Sequence, residues 1–303
     1  MNFASHLPRT VLIAGCGDIG LRAGRLLREI GREVTGLVRT EQSAARISAA
    51  GLRACIADLD QGAPTPAADL LLYLAPPPAT GDTDPRLRAF LGQLAAPPQR
   101  LVYISTSGVY GDCQGRWITE DEPLRPQSAR AARRLDAETA LADYAQRSGA
   151  EVVTLRVPGI YGPGRLPLAR LRQGLPVIRP DESPYSNRIH AEDLARALLQ
   201  AAGLGRPGAA YNIADGHPTT MADYFTRCAR LLGLPEPPQV SLAEARRVFT
   251  PAMWSFIEES RRLRIGRARA ELGFEPRYPD LAAGLPACLP PAATIASLAG
   301  EKT

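Results

Sequence analysis

A glycine-rich turn near the N-terminus limits what this chain can form more than any other feature. The segment "TVLIAG", residues 10–15, is a short apolar run that predicts a buried parallel strand. It continues into "GCGDIG" and then into an amphipathic helical pattern. In a strand–turn–helix of this kind, glycines allow a tight turn and a close approach of the backbone to a diphosphate, which the helix N-terminus faces. We therefore predict a dinucleotide site that includes Gly15, Gly17, Asp18, Ile19 and Gly20.

Strand-like and helix-like patterns alternate through the first half of the chain. The apolar segments "EVTGLVR", "LRACIADL", "DLLLYLAP" and "RLVYIST" are separated by helical stretches, and "AEVVTLRV" follows a long helix. This alternation predicts βαβ units, and so an α/β protein with a doubly wound parallel sheet, the Rossmann fold. Beyond about residue 162 the pattern becomes helical and rich in proline, which predicts a smaller C-terminal substrate-binding region.

The domain boundaries follow from this change of pattern. We assign residues 8–165 to the dinucleotide-binding domain, which residues 187–215 complete. Residues 166–186 and 216–285 form the smaller substrate-binding region. Residues 286–303 are interpreted as a loosely ordered tail.

Composition excludes several classes of protein. The apolar runs are far shorter than the roughly 18 residues that cross a membrane, so we expect no membrane association. Five scattered cysteines without a Cys-x-x-Cys pair argue against a disulfide framework and a zinc site, so we expect no metal and a cytoplasmic location. The net charge of +5 is spread along the chain, which argues against nucleic-acid binding. Lysine occurs only at Lys302, so a mechanism that needs an active-site lysine is nearly excluded.

The end of the second strand bears on the choice of dinucleotide. NAD-preferring sites usually place an acidic residue there for the ribose 2′-hydroxyl, but this strand ends in "GLVRT" with Arg39. A guanidinium suits a 2′-phosphate through bidentate pairing, and Arg22 in the preceding helix could assist. We therefore predict NAD(P) as the cofactor, with NADP favoured over NAD. The alternative is that Arg39 is one surface arginine among many.

Six motifs occur together, in order, between residues 10 and 285. They are "AGCGDIG", "CIADL", "LYLAP", "ISTSGVYGD", "LRVPGIYGPG" and "NRIHAEDLARA". This order resembles the extended short-chain dehydrogenase/reductases, the NAD-dependent epimerase/dehydratase family. The resemblance implies cofactor contacts at Asp58, Leu59, Ala75 and Pro158, with Asp58 near the adenine ring. Because dimers are common in that family, the resemblance also implies a possible homodimer.

The family's chemistry uses a Ser/Thr, a Tyr and a Lys, and the resemblance places Thr106 at the hydroxyl position. The usual Tyr-x-x-x-Lys pair is followed by a glutamate four residues on. Taking Glu138 as that glutamate places Arg134 at the lysine position and Arg130 at the tyrosine position. Because they are spaced i and i+4, both arginines share one helix face, as the original pair would. The chain thus resembles an atypical branch that lacks the Tyr-x-x-x-Lys pair.

These replacements leave the source of a proton open. Arg134 could hold the ribose hydroxyls, but Arg130 cannot serve as a general acid near neutral pH, because arginine keeps its proton to above about pH 12. The alternatives are Thr106 acting through water, Tyr161 in "GIYG" and Tyr185 in "SPYSN". A further alternative is that the two arginines bind an anionic substrate by charge rather than transfer a proton.

Two functions remain under consideration. The first is an NAD(P)-dependent oxidoreductase or epimerase that acts on a small or nucleotide-linked carbonyl or sugar with a non-standard active site. The second is a non-catalytic NAD(P)(H)-binding sensor or regulatory protein. The missing Tyr/Lys pair favours the second function, whereas the retained motifs favour the first.

The charged segment "ESRRLR", residues 259–264, is interpreted most simply as a solvated helical face, although its arginines could meet a phosphate.

Overall fold

A central sheet of seven parallel strands organises the protein. The computed structural model describes residues 3–62, 65–255 and 257–289. Its strands are β1 (Thr10–Ala14), β2 (Glu33–Val38), β3 (Arg53–Ile56), β4 (Leu70–Tyr73), β5 (Arg100–Thr106), β6 (Trp117–Ile118), β7 (Glu151–Val157), β8 (Gly159–Tyr161), β9 (Val177–Ile178), β10 (Tyr185–Ser186), β11 (Arg188–His190), β12 (Ala210–Asn212), β13 (Thr219–Thr220), β14 (Gln239–Val240) and β15 (Arg262–Leu263). The sheet has the order β12-β7-β5-β4-β1-β2-β3, and every neighbouring pair is parallel. The predicted doubly wound parallel sheet is therefore confirmed, and its strand order reverses between β1 and β4.

Helices cover both faces of this sheet. The helices of the described part of the chain are α1 (Asp18–Glu29), α2 (Glu41–Ala49), α3 (Pro85–Gly92), α4 (Ala129–Ser148), α5 (Leu168–Arg172), α6 (Ala191–Leu204), α7 (Met221–Leu231), α8 (Leu242–Val248), α9 (Pro251–Trp254), α10 (Gly266–Leu272) and α11 (Leu281–Gly284). Ile13 joins the core under α1 and α6, and its neighbour Leu12 joins the core under α3 and α4. Successive residues of a strand point to opposite faces, so the apolar run of β1 is buried on both sides.

Local signals in the sequence explain the limits of α4, the longest helix in the described chain. The hydroxyl of Ser128 accepts the backbone N–H of Ala131 at 3.3 Å and so caps the first turn. The helix ends at Gly149, whose φ of +74° is the left-handed conformation that favours glycine.

The C-terminal part of the chain forms a smaller cluster of helices and short strand pairs. Phe225 and Cys228 of α7 pack with Tyr161, Leu285 and Cys288 in a separate apolar core. Residues 286–289 therefore differ from the loosely ordered tail expected for residues 286–303. They include the 3-10 helix Pro286–Cys288, and Cys288 is buried because it packs on α7. The rest of that predicted tail, residues 290–303, lies outside the described residues.

The segment "ESRRLR" is not the solvated helical face that we expected. Its residues Arg262–Leu263 form β15, which pairs with β6. Glu259 and Arg261 are buried, because the segment packs on the loop after β5.

In the described part of the chain, no helix has the length and apolar character to span a membrane. Nor do those residues contain three or more His, Cys, Asp or Glu side chains grouped to bind a metal.

Candidate active site

The glycine turn after β1 is tightly packed on one side and open on the other. Gly15 has a φ of +80°, and a Cβ added there would lie 2.5 Å from the backbone nitrogen of Ala75. A Cβ on Gly17, by contrast, would meet no atom within 4 Å, so the turn is open on that side. A Cβ on Gly20 would lie 3.0 Å from Ile13 Cγ2, so this glycine lets α1 approach β1 closely. Gly17 and the N-terminus of α1 therefore border a space that suits phosphate groups.

A cavity of about 590 Å³ opens at the carboxyl ends of β1 to β4. Open parallel sheets bind ligands at this place, where the strand order reverses, and the volume is typical of small-molecule sites. Among the predicted cofactor residues, the cavity is lined by Gly15, Gly17, Asp18, Arg39, Asp58, Leu59 and Ala75. Ile19 and Gly20 are buried in α1, while Arg134 and Pro158 do not line this cavity.

Two arginines and two hydroxyl groups line the cavity beyond β2. Arg39 and Arg46 are accompanied there by Thr40 and Ser43. Thr40 caps α2 by accepting the backbone N–H of Ser43 at 3.3 Å, and Arg46 Nη2 donates to Ser43 Oγ at 3.2 Å. This end of the cavity offers positive charge and hydroxyl groups to an anion.

Arg86 also lines the cavity, although the sequence did not single it out. Its Nε and Nη2 donate to the two carboxylate oxygens of Asp60 at 2.7 and 2.6 Å, and its Nη1 donates to the carbonyl of Pro76 at 2.7 Å. Arg86 therefore ties the loop after β4 to the loop after β3. No local motif signals this contact, because its partners are separated along the chain.

Asp18 joins the glycine turn to a second turn of the chain. Its Oδ2 accepts a hydrogen bond from Arg165 Nε at 2.5 Å, and its Oδ1 accepts one from Arg22 Nε at 2.9 Å. Arg165 follows β8 and was not predicted. Burial raises the pKa of Asp18, but the hydrogen bonds from Arg165 and Arg22 outweigh this effect and lower the pKa. The carboxylate is therefore ionised beside the glycine turn, with two arginines balancing its charge.

The predicted hydroxyl residue, Thr106, ends β5. It is half-buried, and its Oγ1 accepts the backbone N–H of Gly108 at 3.1 Å, which caps the 3-10 helix Ser107–Tyr110. Tyr110 at the end of that helix is buried, and its hydroxyl donates to Asn212 Oδ1 at 2.8 Å. Burial raises the pKa of Tyr110 to about 12, so this phenol supports the loop rather than transferring protons.

Glu138 anchors α4 against β5 and β7. Its carboxylate accepts a short hydrogen bond from Ser105 and pairs with Arg156 at 2.8 Å. The Glu138 and Arg156 side chains are only 10% and 8% exposed. This buried anchor sets the rotation of α4 about its axis, and that rotation decides where Arg130 and Arg134 lie.

Arg134 lies at the carboxyl ends of β4 and β5. Its Nη1 donates to the carbonyl of Ile104 at 2.9 Å and to the hydroxyl of Tyr103 at 3.1 Å. The same nitrogen is 3.5 Å from the carbonyl oxygen of Ala75, the residue that Gly15 approaches. The guanidinium thus bridges two strand ends beside the glycine turn.

Arg130 lies one turn earlier on α4 and is half-buried. Burial lowers the pKa of its guanidinium, while the nearby Glu259 carboxylate acts in the opposite direction. Arg261 lies close enough to add to the lowering. The surroundings of Arg130 therefore include charged groups of the C-terminal segment, which the sequence did not indicate.

The two tyrosines considered as proton donors have different surroundings. Tyr161 is fully buried, its hydroxyl donates to the carbonyl of Asp280 at 3.3 Å, and its ring packs edge-on against His190. Burial raises the pKa of Tyr161, so we withdraw this residue as a donor and assign it to the core. Tyr185 is 40% exposed, with the Arg262 guanidinium 4.5 Å from its ring centroid, and it stays a candidate.

A second cavity, of about 280 Å³, lies in the smaller region. Its lining is mostly apolar and consists of Arg170, Val177, Ile178, Ser183, Met221, Phe225, Phe249, Met253 and Ile257. The guanidinium of Arg170 lies 4.8 Å from the Phe225 ring centroid, and its Nη2 donates to the carbonyl of Pro176 at 2.7 Å. The cavity therefore suits an apolar group with few polar atoms.

Comparisons with known proteins agree with this geometry. Residues 87–214 match the model of the NAD dependent epimerase/dehydratase family. Protein YeeZ of Escherichia coli K12 is 29% identical over 289 residues, which cover 90% of this chain and 97% of YeeZ.

Two solved structures are similar over nearly their whole length. A functionally unknown conserved protein from Silicibacter pomeroyi is 31% identical, with a TM-score of 0.76, over 92% of this chain and 97% of that chain. MoeE5 in complex with UDP-glucose and NAD is 26% identical, with a TM-score of 0.75, over 95% of this chain and 99% of that chain. With the parallel sheet and the glycine turn, these matches show that the chain belongs to the NAD-dependent epimerase/dehydratase family.

Proposed function

We propose that this protein is an NADP-dependent oxidoreductase or epimerase acting on a carbonyl or sugar substrate, small or nucleotide-linked, without the usual Tyr/Lys pair. The observation that carries the proposal is the open side of the glycine turn at Gly17, beside a cavity that ends at Arg39 and Arg46. The similarity to MoeE5, whose structure holds UDP-glucose and NAD, supports a dinucleotide and a nucleotide-linked sugar as ligands for this chain.

The chain offers partners for each part of the dinucleotide. Gly15, Gly17 and the N-terminus of α1 would hold the diphosphate, and Asp58 would lie near the adenine. Arg39 and Arg46 would bind the 2′-phosphate, for which their fork geometry is suited. Bound NADP would supply or accept a hydride at the carboxyl ends of β4 and β5.

Arg134 is the residue best placed to orient the nicotinamide ribose. Its three contacts with Ala75, Tyr103 and Ile104 all use Nη1, and among the described residues no hydrogen bond is found for Nε or Nη2, which would donate to the ribose hydroxyls. Thr106 would hydrogen-bond the reacting oxygen of the substrate. The smaller region, with its apolar cavity, would hold the end of the substrate that does not react.

The test combines cofactor binding with a substrate screen. We expect NADPH to bind more tightly than NADH, and a panel of alcohols, aldehydes and sugar nucleotides to include one that supports turnover. Thr106→Ala should lower kcat for that substrate by about tenfold or more, as expected for a group acting on the reacting oxygen. Thr139→Ala, on an exposed position of α4, is the matched control and should leave kcat unchanged. Tight NADPH binding without turnover across the panel would lead us to abandon the proposal.

One observation favours the second candidate, a non-catalytic sensor of the dinucleotide. Arg134, at the lysine position, is already bound to protein groups through Nη1, as a structural residue would be. A sensor should differ between its NADP⁺ and NADPH complexes in hydrogen exchange or in oligomeric state, and equal behaviour of both complexes would exclude it. Gel filtration would test the proposed homodimer in the same samples, and cell fractionation would test the proposed cytoplasmic location.

A further inference from the structure

The cavity of the smaller region contains a cation without a counter-ion. Arg170 of α5 lines this cavity and is half-buried, and its Nε atom is buried. Its Nη2 donates to the carbonyl of Pro176 at 2.7 Å, but among the described residues Nε has no hydrogen-bond partner. Burial lowers the pKa of this guanidinium, and no carboxylate of the described chain acts against that effect. The guanidinium has therefore lost hydration without gaining an anionic partner.

Two aromatic rings beside Arg170 offset only part of this loss. The guanidinium carbon lies 4.8 Å from the ring centroid of Phe225 and 5.9 Å from that of Phe249. Such rings attract a cation less strongly than a hydrogen-bonded carboxylate does. An anion that enters the cavity would therefore gain a charge-assisted hydrogen bond from Arg170, and no carboxylate of the described chain would compete for it.

The other walls of the cavity restrict what this anion can carry. Val177, Ile178 and Ile257 are apolar and buried. Ser183 is the only other lining residue whose side chain has an oxygen or a nitrogen, and its Oγ already accepts the backbone N–H of Ala222 at 3.5 Å. The volume of about 280 Å³ lies at the lower end of small-molecule sites. The cavity therefore has room for a compact apolar group and few partners for sugar hydroxyls.

Met221 connects the cavity to the turn that follows β7. Met221 lines the cavity, and its Sδ accepts a hydrogen bond from Arg188 Nη2 at 2.8 Å. A Cβ on Gly159 would overlap Arg188 Nη1, so the Arg188 guanidinium covers the start of β8. Gly159 directly follows Pro158, which is predicted to contact the cofactor. The Arg188 side chain therefore lies between the cavity and this predicted cofactor turn.

From these observations we propose that the cavity binds an apolar carboxylate, with its charged group at Arg170 and its hydrocarbon part against β9 and Phe225. The proposal rests on the proposed function, in which this cavity holds the end of the substrate that does not react. The substrate is then a small apolar acid rather than a sugar nucleotide. A sugar nucleotide would lose the hydration of its diphosphate and hydroxyl groups here and find only Arg170 and Ser183 as polar side-chain partners.

Methyl NMR of the methionines tests this binding without any need for turnover. The chain has three methionines, and two of them, Met221 and Met253, line the cavity. Phenylacetate and hexanoate should bind and shift both methyl signals, which Met221→Leu and Met253→Leu assign. Phenylacetamide has the same shape without the charge, and acetate has the charge without the apolar group. Each should bind about tenfold or more weakly than phenylacetate, because each lacks one of the two interactions.

Arg170→Met tests the role of the charge. It keeps an unbranched apolar side chain, so it should weaken phenylacetate binding about tenfold or more and leave phenylacetamide binding unchanged. Arg172→Met removes an exposed arginine from the same helix and should change neither affinity. The Kd for NADPH, measured for both variants, reports whether they are folded. If Arg170→Met does not fold, the comparison of phenylacetate with phenylacetamide in the wild type decides the same question.

The outcomes separate this inference from the proposed function. Equal affinity of the wild type for phenylacetate and phenylacetamide would overturn the inference, as would the absence of binding by both carboxylates. Shifts of the Met221 and Met253 signals with UDP but not with the carboxylates would assign the cavity to a nucleotide instead. Each of these results leaves the proposed function standing. Absence of turnover across the substrate panel would remove the proposed function, whereas the ligand class measured for the cavity would stand.

Discussion

Two glycines of the same turn should respond in opposite ways to the same substitution. Gly15 has a φ of +80°, and a Cβ there would lie 2.5 and 2.6 Å from the backbone nitrogen and Cα of Ala75. Gly17 has a φ of −80°, and a Cβ there meets nothing within 4 Å. Gly15→Ala should therefore damage the fold, and Gly17→Ala should damage only the cofactor site.

The magnitudes follow from these positions. A left-handed backbone costs a non-glycine residue about 1–2 kcal/mol, and an overlap with fixed backbone atoms adds about 1–3 kcal/mol. Gly15→Ala should thus lower the free energy of unfolding by roughly 2–5 kcal/mol and Tm by roughly 5–15 °C. Gly17→Ala should lower the free energy of unfolding by at most about 1 kcal/mol, because alanine is a poorer N-cap for α1. Its methyl group, however, occupies the space where the diphosphate would approach, so the Kd for NADPH should rise about tenfold or more, a loss of at least about 1.4 kcal/mol.

The assay is a pair of measurements on each variant. Thermal unfolding without cofactor reports the damage to the fold, and titration of NADPH fluorescence reports the Kd at a temperature where both variants are folded. Wild-type affinity in Gly17→Ala would refute the placement of the diphosphate over this turn. Equal Tm values for the two variants would refute the separate roles that we assign to the two glycines.

Three further predictions concern charge. Arg39→Ala and Arg46→Ala should each raise the Kd for NADPH about tenfold or more, since a charged hydrogen bond contributes about 1.5–3 kcal/mol. Both variants should leave the Kd for NADH unchanged. An equal loss of affinity for NADPH and NADH, measured by calorimetry, would contradict this prediction. Arg134→Met should lower the free energy of unfolding by about 1–3 kcal/mol, because the carbonyls of Ala75 and Ile104 and the hydroxyl of Tyr103 lose this donor. A urea denaturation midpoint unchanged from wild type would contradict this. Asp215 is fully buried, and burial raises its pKa to about 7 against the opposing effects of the His217 backbone N–H and Arg188. Between about pH 4 and about pH 7 the folded state keeps this proton while the unfolded state releases it, so stability falls across this range as pH rises and changes little above it. Asp215→Asn should therefore be more stable than wild type at about pH 8, by on the order of 2–4 kcal/mol, and this advantage should shrink at about pH 5. An advantage equal at both pH values would show that the burial of the charge is not the cause.

Local signals in the sequence were sufficient for the fold and for the glycine turn. The alternating strand and helix patterns and the three glycines after β1 act within a few residues, so the sequence alone predicts them. The assignment of Arg130 and Arg134 to the catalytic positions depended on Glu138 and remains a prediction. The buried hydrogen bond between Glu138 and Ser105 nevertheless gives this glutamate a physical role.

Contacts between distant segments could not be predicted in this way. Arg165 reaches Asp18 across 147 residues, and Arg261 reaches Gly111 across 150 residues. The charged composition of "ESRRLR" suggested solvent exposure, but its burial depends on β6 and on a backbone carbonyl supplied by another part of the chain. Similarly, the sequence shows that Tyr161 carries a phenol but not that the phenol lies in the core. Burial of polar groups is a tertiary property, and it is what separates the candidate catalytic groups from the structural ones.

The Glu138 anchor also makes the protein a useful background for enzyme engineering. The glutamate is eight residues beyond Arg130, and it is tied to Ser105 and Arg156 without depending on the residue at position 130. Exchanging Arg130 for tyrosine and Arg134 for lysine, alone and together, should leave the orientation of α4 intact. The rate contributed by a phenol, by an amine and by their coupling could then be measured separately, in a family member that starts without either group.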